Sequence, residues 1–234
     1  MDETNVGIEL QEFHEIQAAT VIKNLQKRKM NGQYFQGLTE AVSAILEMVP
    51  PGATVARGDS VTLFQSGIMT KLIERGQNKI IDPFQQDAEG RIPKREQRRK
   101  IQREALLSDI FLTSTNAITL DGKLVNIDGA GNRVSAMIFG PKKVIVIAGV
   151  NKIVTDVDAA LNRIHNTCTP VTAIRHRLKH GDPEVAEVPC VRTGKCNDCR
   201  HDWRGCSFTT IIEGAMLPEK GRINVVLVGE ELGI

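Results

Sequence analysis

The stretch KKVIVIAGV, Lys142 to Val150, decides the fold class. Val144 to Ala148 are all aliphatic, with no polar alternation, and the run stops at Gly149. A strand with one wet face alternates apolar and polar residues. An unbroken aliphatic run is what a strand covered on both faces requires, and such strands belong to parallel sheets flanked by crossover helices.

Reading outward supports this. Short β-rich runs at Ala53–Ala56, Lys79–Ile81, Ile110–Thr113 and Lys123–Ile127 alternate with helical stretches at Ser60–Glu74, Glu96–Ser108, Asn132–Ile138 and Asp156–Arg163. The alternation predicts an α/β chain with a Rossmann-like, mainly parallel sheet and helices on both faces. Aromatic residues make up only 4% of the chain, so its core must be built from Ile, Val, Leu and Ala. A last strand pair is predicted at Phe208–Glu213 and Arg222–Val228. Toward the other end, Leu10, Phe13, Ile16, Val21 and Leu25 trace one helix. A second helix runs from Leu38 to Val49 and stops at Pro50-Pro51. The polar Lys27–Gln36 between them reads as a connector. Residues 1–50 are thus expected as an N-terminal helical segment, and 51–234 as an α/β domain with a Cys-rich insertion at 189–206.

Composition excludes several classes. No apolar run reaches the roughly 18 residues of a membrane span. The opening MDETNVGIELQEF lacks the basic start and apolar segment of a secretory signal, so a cytoplasmic protein is expected. Net charge is +2, too small for a polyanion binder by composition. The run Lys94, Arg95, Arg98, Arg99, Lys100 has no interleaved aromatics for base stacking. It reads as a solvated helix face, and no nucleic-acid partner is expected.

In a reducing compartment, clustered cysteines bind metal rather than pair. The segment PCVRTGKCNDCRHDWRGC puts Cys190, Cys196, Cys199 and Cys206 in one loop with spacing C-x5-C-x2-C-x6-C. Four thiolates can hold a tetrahedral zinc or a [4Fe–4S] cluster. Zinc ribbons carry two CxxC knuckles; the single CxxC here favours the cluster, with zinc the alternative. His201 reads as a solvent-facing side chain, and the separate Cys168 as a small buried hydrophobe.

The middle of the chain, SDIFLTSTNAITLDGKLVNIDGAGNRVSAMIFG, places polar turns at predicted strand ends. Asp128-Gly129-Ala130-Gly131 leads into a helix beginning at Asn132, a turn whose free amides would attract an anion. Arg133 would add a charged fork, and Lys152, after Asn151 at the end of the aliphatic strand, could reach the same pocket. Asn116 and Asn126 sit at neighbouring strand ends. Asp121-Gly122 reads first as the turn of a hairpin between Ala117–Thr119 and Lys123–Ile127. Gly58 and Ser60 form another strand-to-helix turn, with Ser60 a helix cap.

These residues resemble the LUD-domain (lactate utilisation) family. The match runs from ARGDSVTLFQSGI, through TNAITLDGKLVNIDGAGNRVSAMIFGPKKVIVIAGVNKIV and the cysteine loop, to the final VVLVGEELGI. The cysteine tail looks like that of a subset of the family. The resemblance implies a fold similar to the isomerase, acyl-CoA-transferase and formyltetrahydrofolate-cycloligase group. It also implies association with lactate oxidation to pyruvate alongside iron–sulfur partner proteins. Acyl-CoA transferases of the related fold use a glutamate nucleophile. No Glu lies in the central motif, which counts against CoA transfer.

Three functions compete. The first is an accessory redox protein of 2-hydroxy acid oxidation: a small anionic metabolite sits among Asn116, Asp128, Asn132, Arg133 and Lys152, with Asp128 or Asp121 as general base and the cysteines holding a cluster. The second is a stand-alone isomerase or transferase using Asp128 and Lys152, with structural zinc. The third is a non-enzymatic regulatory or assembly subunit, oligomeric or not, since no GxGxxG or P-loop is present.

Overall fold

A computed structural model describes residues 3, 5–181 and 183–234. Met1, Asp2 and Thr4 of the opening MDETNVGIELQEF, on which the expectation of no secretory signal partly rests, lie outside the described residues. In chain order the first elements are α1 (Gly7–Lys27), β1 (Asn31–Phe35), α2 (Leu38–Met48), β2 (Thr54–Arg57), α3 (Val61–Ser66), α4 (Ile68–Arg75), β3 (Lys79–Ile81) and α5 (Arg95–Glu104). The middle holds β4 (Ile110–Thr113), β5 (Ala117–Thr119), β6 (Leu124–Asp128), α6 (Asn132–Ile138), β7 (Lys143–Gly149), β8 (Ile153–Val154) and α7 (Val157–Arg163). A π turn over Ile164–Cys168 joins α7 to α8 (Thr169–His180); α9 (Pro183–Ala186), α10 (Pro189–Thr193), β9 (Phe208–Ile212) and β10 (Ile223–Val228) follow. Among the described residues no helix is long and apolar enough to cross a membrane.

Six strands form one sheet in the order β1-β10-β7-β4-β2-β3, every neighbour pair parallel. The aliphatic run becomes β7, near its centre. Val144, Val146 and Ala148 pack on the face covered by α1 and α6, while Ile145 and Ile147 pack on the face covered by α2, α3 and α4. Burial on both sides is the reason for the unbroken pattern, and each of its Val and Ile side chains contributes about 1.5–3 kcal/mol. A smaller sheet, β8-β5-β6-β9, mixes one parallel pair with two antiparallel ones. One side of it packs into the core with Ala18, Val21 and Leu25 of α1; the other meets α7 and the π turn through Ala117, Val125, Ala160 and Ile164.

Three expectations are corrected. The presumed connector contains β1, an edge strand paired with β10 from Asn31↔Asn224 to Phe35↔Val228. Its polar sequence follows from the exposure of the alternate residues Asn31 and Gln33. The single helix over Ser60–Glu74 is two, because Gly67 at φ 64° ends α3 and starts α4; glycine takes that left-handed conformation without strain. The two last strands do not pair with each other: β9 joins β6 in the small sheet and β10 joins β7 in the large one.

Parallel order places the carboxyl ends of β2, β4, β7 and β10 on one edge, where open α/β sheets hold their ligands. The C-terminal tail crosses that edge closely. A Cβ on Gly149 would collide with the Glu230 carbonyl and the Leu232 amide, so only glycine fits there. Asn151 Oδ1 accepts the Leu232 amide at 3.1 Å and pins the tail.

Candidate functional site

A cavity of about 740 Å³ opens at that edge. From the strand ends it is lined by Ser60, Thr62, Ser114, Asn116 and Lys152. From the turn before α6 come Asp128, Gly129, Asn132 and Arg133. Five other residues singled out from the sequence do not line it: Gly58, Asp121, Asn126, Gly131 and Asn151.

Each absence has a local cause. Asp121 turns toward α1, where Arg28 Nη2 donates to its carboxylate at 2.6 Å; that pairing, Lys123 and Thr119 lower its pKa against the opposing effect of burial. Asn151 holds the tail. Gly58 lies beneath the Arg133 side chain, whose Cγ would sit 3.1 Å from a Cβ there. Gly131, at φ 77°, makes the left-handed turn into α6.

The largely buried Arg133 is an organiser. Its Nη1 donates to the Ser114 carbonyl at 3.0 Å and to Asn126 Oδ1 at 2.7 Å. Its Nη2 donates to Asn116 Oδ1 at 3.1 Å and to the Ile127 carbonyl at 2.9 Å. The guanidinium fork expected to clasp a ligand is therefore engaged by the protein itself, tying β4, β5 and β6 together. Asp128 is likewise committed: its Oδ2 accepts the backbone amides of Arg133 and Val134, each at 3.1 Å. The α6 amides expected to meet an anion are capped by this carboxylate, the usual fate of orphan helix donors.

Lys152 is 3% exposed, and its Nζ donates to Thr62 Oγ1 at 2.9 Å and Ser114 Oγ at 2.8 Å. No carboxylate stands within ion-pairing distance among the described residues. Burial pulls its amine down to about 7, and the positive charges of Arg163 and Arg133 act in the same direction, against Cys168.

The cysteine loop reaches the same cavity because β9 pairs with β6. The register sets Asp128 opposite Phe208, the Ser207 amide donates to the Asp128 carbonyl at 2.9 Å, and Gly205 lies over Gly129. Cys206 is thereby delivered beside the central motif. Cys190 sits buried on α10, which ends at Gly194 in the left-handed conformation. Arg204 donates to the carbonyls of Cys199 and Cys206 and ties the loop. Cys190, Cys196, Cys199 and Cys206 all border the cavity, and none is in a disulfide. Burial pushes the Cys190 thiol up, and Cys206, Cys199 and Cys196 add to that rise. Among the described residues no three His, Cys, Asp or Glu side chains converge tightly enough to form a ready-made ion site. Four thiols outside any disulfide border this cavity, and thiolates are the donor chemistry of zinc or an iron–sulfur cluster.

Sequence reading missed several lining groups. The basic run, expected as a solvated face, instead sends Arg95, Arg98, Arg99 and Gln102 into the cavity, an i, i+3, i+4, i+7 face of α5. Trp203 of the cysteine loop lies 5.7 Å from the Arg95 guanidinium, so the missing aromatic comes from a distant segment. Helix α8 adds Arg175 and Lys179 to the lining. The π turn presents His165, whose Nδ1 is 3.5 Å from Cys196 Sγ, and Cys168, whose Sγ accepts from Arg163 Nη1 at 2.6 Å. Spacing along α5 was the one available signal; the π turn has none in a single sequence.

A strand-edge cavity roofed by basic helices and a cysteine loop can be set beside known proteins. The LUD domain family model matches residues 18–228. The chain belongs to the LUD domain family. A crystal structure of a DUF162 family protein from Deinococcus radiodurans resembles this LUD chain with a TM-score of 0.50 at 13% identity, covering 94% of this chain and 98% of that one. That likeness shows the shared fold. A second solved structure, eIF2B delta from Chaetomium thermophilum, aligns at a TM-score of 0.33 and 14% identity over 64% of this chain and 55% of that one, and carries no argument here. No curated protein matches the LUD chain. The family is associated with lactate utilisation, which gives this chain a general role.

Proposed function

We propose that this LUD protein is an accessory iron–sulfur component of lactate (2-hydroxy acid) oxidation, and that its cavity takes a small carboxylate beside a [4Fe–4S] cluster on Cys190, Cys196, Cys199 and Cys206. One observation carries the reading: the four cysteines border the same cavity as Lys152, Asp128 and the basic face of α5. A bound cluster would supply one-electron transfer.

The chain's own residues supply recognition and proton handling. Arg99 and Arg175 line the cavity, and their side chains make no hydrogen bond or ion pair among the described residues, so their guanidinium donors are free for a carboxylate. Asp128 Oδ2 is held by two amides, leaving Oδ1 as the base for a ligand hydroxyl. Lys152, in a desolvated position, donates or accepts the balancing proton. The proposed partners are a small anionic metabolite and iron–sulfur proteins of lactate oxidation.

Anaerobic purification with iron, sulfide and zinc analysis tests the cysteine assignment. Brown protein that bleaches on reduction, with iron lost in Cys199→Ala, is the expected result. Colourless protein holding one zinc would replace the redox reading with a structural staple in a small-molecule enzyme. Full iron in Cys199→Ala would remove that residue from the ligand set.

A further inference from the structure

A primary amine buried at the end of a parallel sheet, bordering a cavity and, among the described residues, hydrogen-bonded only to hydroxyls, is chemically unusual. Lysines are rarely buried without a carboxylate partner, because the ammonium ion loses its hydration. Here Nζ has two neutral partners, Thr62 Oγ1 and Ser114 Oγ, while the nearby charges of Arg163 and Arg133 repel a proton on it. Both arginines are fixed: Arg133 by the four bonds given above, and Arg163 by donation to the Asn151 and Asn116 carbonyls at 3.2 and 3.0 Å and to Cys168 Sγ. The tail is packed tightly against the amine, since a Cβ on Gly233 would stand 3.0 Å from Nζ. The amine is thus held still, dry and next to open volume.

A desolvated lysine flanked by cations gives up its proton readily, which is the arrangement that makes an amine nucleophilic toward carbonyl carbon. We propose that Lys152 forms a Schiff base with a small 2-oxo acid bound in this cavity. The proposal rests on the small-carboxylate reading above and adds the ligand's second functional group, a ketone or aldehyde next to the carboxylate.

The step balances without an oxidant or co-reactant. The Nζ lone pair attacks the carbonyl carbon, forming the C–N bond as the C=O π bond opens. The oxygen takes one proton and Nζ loses one, giving a carbinolamine. Loss of the second Nζ proton and of the hydroxyl, protonated as it leaves, gives the imine and one water. Ser114 Oγ and Thr62 Oγ1 are the groups positioned to pass these protons, since each already contacts Nζ. Arginine side chains of the α5 wall answer the carboxylate.

Pyruvate with borohydride tests this in the native chain. The chain has one tryptophan, Trp203, and it lines the cavity, so its fluorescence reports occupancy independently of any covalent step. The expected result is a saturable change in Trp203 emission on adding pyruvate, together with one 1-carboxyethyl group per chain mapped to Lys152 by peptide mass spectrometry. Lactate, which has no carbonyl, is expected to change the emission and leave no adduct. Prior unfolding in urea is expected to abolish the selectivity for Lys152 over surface lysines. A saturable pyruvate response with no adduct at Lys152, or with adducts only on surface lysines, overturns the Schiff base and leaves carboxylate binding standing. No saturable response and no adduct overturns both. Lys152→Met that keeps the fluorescence response and loses the adduct supports the assignment; an undiminished adduct yield in that variant refutes it.

Discussion

Arg133→Ala is expected to destabilise the protein by about 3 kcal/mol or more, measured by urea unfolding at neutral pH. The side chain satisfies the Ser114 and Ile127 carbonyls and the amide oxygens of Asn116 and Asn126. Asn126 is fully buried, so water does not reach its Oδ1 in the folded chain to replace the lost donor. Leaving several buried acceptors unpaired costs about 1–3 kcal/mol each before relaxation. Removing the cation also strips Asp128 of the partner 3.9 Å from its carboxylate. A loss below about 1 kcal/mol would mean that Arg133 is not the organiser of this edge. A stable Arg133→Ala chain that merely failed to bind carboxylates would return the residue to the ligand-fork role read from the sequence.

Lys152→Met is expected to stabilise the protein in a pH-dependent way. In the folded chain the amine lies at about 7, well below the ordinary lysine value of about 10.4. Below about pH 7 both folded and unfolded chains carry the proton, and the folded chain bears the full cost of a buried charge. Between about pH 7 and 10 the unfolded chain binds more protons than the folded one, so the wild type gains stability as pH rises. The advantage of Met over Lys is therefore greatest near pH 6 and shrinks by up to about 5 kcal/mol toward pH 10. Loss of the Nζ donor to the hydroxyls of Thr62 and Ser114 offsets part of it. Urea unfolding of both chains across this range checks the slope. A difference that does not change with pH would show that the amine is charged or solvated throughout.

Much of the fold was legible because burial leaves a pattern. The uninterrupted β7 announced a doubly covered strand, and the Asp121-Gly122 turn announced the hairpin of β5 and β6. The edge strand β1 was hidden because its alternate residues Asn31 and Gln33 are exposed and its sequence is polar. The helices α8, α9 and α10 were hidden because they cover the cavity with mixed polar and apolar faces instead of a clean apolar stripe.

For the site, residue types marked the neighbourhood but not the tasks. Asp128, Asn116, Lys152 and the four cysteines were singled out from the chain, and they do border one cavity. Arg133 and the start of α6 were read as ligand contacts, whereas the protein uses both internally. Hydrogen-bond saturation of this kind depends on three strands meeting, which no local pattern records. The α5 arginines were read as solvated because their aromatic neighbour, Trp203, is about a hundred positions away in the chain. Cys168 was read as a plain buried hydrophobe; its pairing with Arg163 depends on the π turn.

In the proposed function a thiol-held cluster and a carboxylate pocket share one chamber. Electron paramagnetic resonance of the reduced, cluster-loaded protein, recorded with and without pyruvate, addresses it directly. A ligand-dependent change in the cluster signal, saturating over the same concentrations as the Trp203 response, is the predicted result. Pyruvate that saturates the tryptophan signal while the cluster spectrum stays unchanged would contradict the shared chamber, as would an intact cluster signal after all four cysteines are replaced.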